Sequence, residues 1–75
     1  DALAFREDLA HAAALLEEES APIDYLRQFL IGVARVAHDQ VLEHRASGLS
    51  PQPSGDDRQS LRRLLDERMA TVAPV

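Results

Sequence analysis

The chain has 75 residues with eight arginines, no lysine, thirteen carboxylates and no cysteine, for a formal charge of −5. So short a chain forms one domain at most and buries only about 60% of its unfolded surface, which makes self-association or a partner a common route to stability. Cysteine chemistry is excluded, no apolar run approaches the roughly 18 residues that span a bilayer, and an acidic excess confined to residues 1–20 disfavours nucleic acid and favours basic partners.

The start, DALAFREDLA, lacks the basic residues and small-residue cleavage site of a signal peptide. A cytoplasmic chain without membrane partners is the expectation. Asp1 in place of an initiator Met favours a fragment or a processed chain.

The first helix is expected over about Ala2–Leu16, where Phe5, Leu9, Ala12, Ala13 and Leu16 recur at helical spacing. Glu17–Glu19 would face the negative end of its macrodipole, so a break belongs at Glu19–Ala21. Ser20 is then a good N-cap and Pro22 suits the first turn of the next helix.

The second helix is expected to run unbroken from Ala21 or Pro22 to about Arg45, about 35 Å at 1.5 Å per residue. It is apolar on two faces. One stripe holds Ile23, Leu26, Leu30, Val33, Ala37 and Val41, and the other holds Tyr25, Phe29 and Val36. Together they exceed the roughly 100° band of an ordinary surface helix, so part of that surface is expected to belong to a second chain. The seam Ile23, Leu26, Leu30, Val33 and Ala37 is expected to pack on Phe5, Leu9, Ala13 and Leu16. Gly32, mid-helix, costs about 1 kcal/mol relative to alanine. It marks either a tolerated imperfection or a close approach by another backbone or a ligand.

Ala46–Gly55 reads as a flexible linker, with two prolines, two glycines and three serines in ten residues. Asp56 or Asp57 can cap a third helix that carries Leu61, Leu64, Leu65, Met69 and Val72 on one face. This tethered helix can dock in cis, swap between protomers or bind a partner. The resulting fold class is all-α: a two-helix antiparallel hairpin (residues 1–45), a linker (46–55) and a C-terminal helix (56–75), assembled as a dimeric helical bundle.

Catalytic constellations are absent from the sequence. There is no phosphate-cradling loop and no metal motif, and Glu7 with His11, or His38 with Asp39, offers fewer than the three ligands that a metal needs. Apart from Ser60, the serines fall at caps and in the linker, and none has a plausible base and orienting acid to activate it. Neither an enzyme nor a cofactor is expected. Arg27 and Arg35 are read as solvated side chains pairing with nearby acids. The expected function is protein–protein recognition and dimerisation, with Tyr25, Phe29, Val36, Leu61, Leu64, Leu65 and Met69 as partner-binding residues.

Two resemblances sharpen that expectation. The run EEESAPIDYLRQFLIGVARV resembles the central helix of the RsiG-like actinobacterial anti-sigma (aerial mycelium formation) family, with Tyr25, Leu26, Arg27, Leu30 and Gly32 in register. Missing lysine and asparagine beside abundant alanine and arginine also suit a high-GC, actinobacterial genome. The resemblance implies a regulatory protein that holds a sigma factor. In that family a Glu–Ser–Arg–Gln–Asp series grips cyclic di-GMP. Here only Arg27 is retained, and Ser20, Asp24, Ile31 and Arg35 occupy the other positions, so cyclic di-GMP is not an expected ligand. Separately, SGDDRQSLRRLLDERM after a Pro/Ser/Gly linker is similar to the C-terminal docking domains of modular polyketide synthases. That likeness implies two dimerising helices and a last helix gripping the neighbouring synthase subunit.

Overall fold

A computed structural model of the protein describes residues 2–71, and all of its regular elements are helical. They are α1 (Ala2–Glu17), α2 (Ile23–Val36), α3 (Gln40–Ser47) and α4 (Gly55–Thr71). Asp1 and Val72 lie outside the described residues. The Cα radius of gyration is 11.5 Å, close to the roughly 11 Å of a compact chain this long.

Of the stripe expected on α1, Leu9, Ala12, Ala13 and Leu16 are all in the core, and Phe5 packs against it partly buried. Alanines at two of these four positions let neighbouring helices come close. The four buried residues share one core with Leu26, Leu30 and Ala34 of α2, Leu42 and Ala46 of α3, and Leu61, Leu64 and Leu65 of α4. Helix α1 is central, packing on both α2 and α4, while α3 packs on α2 and touches α4. No polar or charged residue is buried among the described residues, so the core incurs no desolvation cost for unpaired polar groups.

The expected long second helix is in fact two helices. The chain turns at Ala37–Asp39, and the apolar period running Val33, Ala37, Val41 does not survive the turn. Asp39 N–H donates to the Ala34 carbonyl at 2.8 Å and His38 N–H to the Arg35 carbonyl at 3.2 Å. This is a Schellman pattern, which ordinarily places glycine at the left-handed position. Here His38 fills it, at φ 56°. Asp39 then caps α3 by accepting the Leu42 N–H at 3.1 Å. Ala37, expected in the seam, is exposed, and Val41 is 56% exposed. Leu26 and Leu30 are buried, with Ile23 and Val33 partly buried against the core.

Two other boundaries differ for local reasons. Pro22 itself takes the N-cap position of α2, with Ser20 left in the preceding turn. Ser54, not Asp56 or Asp57, caps α4. Asp57 N–H donates to Ser54 Oγ at 3.1 Å, and Ser54 N–H donates back to Asp57 Oδ2 at 3.3 Å. That reciprocal pair is a capping box. Ala46 and Ser47 belong to α3, and Leu49 is buried. The connection is therefore 48–54, and Leu49 pins it to the core.

Candidate functional site

Helix α4 is held in cis. Leu61, Leu64 and Leu65, expected to meet a partner, are buried in this chain's own core, and Met69 packs partly buried against it. Polar ties run along the same contact. Arg58 Nη1 donates to the carbonyls of Leu16 at 3.4 Å and Glu18 at 3.2 Å. A cation thereby sits on the unsatisfied carbonyls at the α1 C-terminus, where the macrodipole is negative. Arg62 pairs with Glu17 and, at 3.1 Å, with Asp66. Its bonds to these two carboxylates push the Arg62 pKa above its ordinary value. The acidic end of α1, unfavourable within its own helix, is answered by the arginines of α4.

The α2–α3 corner is tied to α4 as well. Arg68 Nε donates to Asp39 Oδ2 at 2.7 Å and Arg68 Nη2 to Asp39 Oδ1 at 3.4 Å. Burial alone would raise the Asp39 carboxyl. The Leu42 N–H, the Arg68 guanidinium and the Val41 N–H outweigh burial and hold its pKa below 3.8. Arg45 Nη1 reaches Ser60 Oγ at 2.7 Å, adding a bond between α3 and α4. Arg27 and Arg35 pair with Asp24 (3.6 Å) and Glu43 (3.0 Å) respectively.

With α4 committed to the core, an apolar opening lies between the N-terminal half of α1 and α2. It is a groove of about 760 Å³ whose lining includes Phe5, Asp8, Phe29, Gly32, Val33 and Val36. Val36 is 84% exposed and Tyr25 52%. Phe29 is half-buried. Its ring stacks on Tyr25 at 5.9 Å between centroids and takes His11 edge-on at 5.3 Å. Tyr25, Phe29, Gly32 and Val36 thus line one side of α2 at the spacing of a helix-recognition face. A Cβ added at Gly32 would meet nothing within 4 Å. No close approach inside this chain accounts for the glycine.

Tyr25, Phe29 and Val36 come together on this face as one surface, and Leu61, Leu64, Leu65 and Met69 lie apart from it on α4. Phe5, expected in the core stripe, packs partly buried against the core and also lines the groove, while Asp8, three residues on and on the same side of α1, completes it without having been expected there. Among the described residues, no group of three or more histidines and acids could hold a metal ion. Among the same residues, no helix is long and apolar enough to cross a membrane. In comparison with known proteins, the chain matches no family model, no curated protein and no solved structure.

Proposed function

We propose that this chain is a non-catalytic protein-recognition module that pairs with a second copy of itself through the open face of α2. The observation that carries the reading is the stripe of exposed Tyr25 and Val36 with half-buried Phe29 between them, beside a groove containing a glycine where an added Cβ would meet nothing within 4 Å. Isolated exposed apolar residues are ordinary, whereas a contiguous aromatic and aliphatic face flanking a groove marks an interaction site. Its aromatic rings are the residue types that dominate interface energetics.

Val36→Glu tests this without confusion from misfolding, because the Val36 side chain supports nothing in the fold. The native chain is expected to sediment as a dimer, and Val36→Glu as a monomer of unchanged helix content. A native chain that remains an 8.3 kDa monomer at high micromolar concentration removes self-association from the reading.

At the level of biological role, a regulatory, anti-sigma-like protein is the reading we favour, with a sigma factor as partner. Of the positions matching that family, Tyr25 and Gly32 lie on the open face of α2. Docking to a neighbouring polyketide synthase subunit is the second reading, and the capping box and leucine stripe of α4 support it. In this fold those leucines are already engaged, so a synthase partner would have to use the α1–α2 groove or displace α4.

A further inference from the structure

The dimer proposed above leaves open how the two copies meet, and the residues of α2 restrict the answer. At about 100° per residue, Tyr25, Phe29, Gly32 and Val36 share one stripe. Val33 and the contact with α1 lie to one side of it, and Asp24, Gln28 and Arg35 to the other. Phe29 is the largest side chain near the middle of the stripe, and Gly32, one turn away, is its smallest, open to solvent on that side.

From this arrangement we infer that the occupant of the face is α2 of the second copy, running antiparallel about a two-fold axis between Phe29 and Gly32. In that register Phe29 of each copy seats over Gly32 of the other, and Tyr25 of each lies against Val36 of the other. The two-fold axis uses each contact twice, as an isologous interface requires. A parallel pairing would set Phe29 against Phe29 and leave both glycine hollows empty.

Charge selects the same orientation. Asp24 stands at the start of α2 and Arg35 at its end, on the same flank of the stripe. Their side chains are 78% and 69% exposed. An antiparallel two-fold brings Asp24 of each copy beside Arg35 of the other, whereas a parallel two-fold puts this flank of the two copies on opposite sides of the interface and leaves both charges without a cross-chain partner. Each group has a partner within its own chain, Arg27 for Asp24 and Glu43 for Arg35. Both pairs are solvent-exposed, so sharing the charge across the interface costs little.

The inference rests on the self-association proposed above and is tested separately from it. Dimer dissociation constants of the native chain, Asp24→Arg, Arg35→Asp and the double variant are compared by sedimentation at low salt. Helix content is followed by circular dichroism. Each single variant places two like-charge pairs in the interface and is expected to weaken the dimer about tenfold. The double variant is expected to recover native affinity to within about twofold. Both of its helix-end charges oppose the macrodipole, so a purely structural effect would make it the worst of the three.

Gly32→Ala supplies the packing arm. It is expected to raise the melting temperature of the monomer, since a Cβ there meets no intrachain atom, and to weaken dimerisation by filling the hollow for Phe29. Folded single variants with native affinity, a double variant no better than the worse single, or a Gly32→Ala dimer tighter than native would each overturn the register while leaving self-association standing. A monomeric native chain would overturn both.

Discussion

His38 is the residue whose backbone costs most. A non-glycine residue at φ 56° gives up about 1 kcal/mol because its Cβ crowds the following carbonyl. The turn persists because hydrogen bonds on either side of His38 over-determine it. His38→Gly should therefore raise stability by about 0.5–1 kcal/mol. Thermal melting detects this as a shift of several degrees in a domain of this size. An unchanged or lower midpoint would mean that the imidazole contributes as much as its backbone costs. The sequence VAHDQV contains neither glycine nor asparagine, the residues that ordinarily end a helix in the left-handed conformation. Periodicity alone carried the helix straight through.

At the scale of elements, Asp39 joins three helices. It follows the end of α2, caps α3 and holds Arg68 of α4. Asp39→Ala is expected to cost about 2 kcal/mol, combining a lost cap with a part-buried charged hydrogen bond. Its pH dependence has a definite sign. The folded carboxyl titrates below its ordinary value, so its contribution is present above about pH 4 and is lost as pH falls through the folded pKa. The stability gap between native and Asp39→Ala protein should be constant near neutrality and narrow in acid. Denaturant titrations at pH 6 and pH 3 check this, and a gap that fails to close would assign the effect to packing. The helix starts were only partly legible. The Ser54–Asp57 capping box stood in the sequence as a serine followed three residues later by an acid, yet the aspartates beside it looked like equally good caps. Which oxygen caps a helix depends on where the connection enters, and the buried Leu49 settles that.

For the whole molecule, the decisive contact is α4 on α1. Leu65, fully buried, should cost about 2–5 kcal/mol on truncation to alanine. A chain of this length commands only about 0.1 kcal/mol per residue in total. Leu65→Ala is expected to lose most of its cooperative unfolding transition, measured by urea denaturation. A variant as stable as native would show α4 to be peripheral and free for other partners. The leucine stripe of α4 was plain in the sequence, but what it packs on was not, because a 3.6-residue period tells that a face is buried and leaves its partner open.

The sequence by itself determined that the chain is helical, that α1 buries Leu9, Ala12, Ala13 and Leu16, and that α2 has more apolar surface than one packing face uses. These follow from short-range periodicity and propensity, which act within a helix. Only the tertiary structure decided that the second helix breaks at His38, that α4 folds back on α1, and that Phe5 and Asp8 join Phe29 and Gly32 around one groove. Those outcomes depend on contacts between residues far apart in the chain. Arg58 reaching the end of α1 and Arg68 reaching Asp39 are choices among many possible pairings, and packing selects between them.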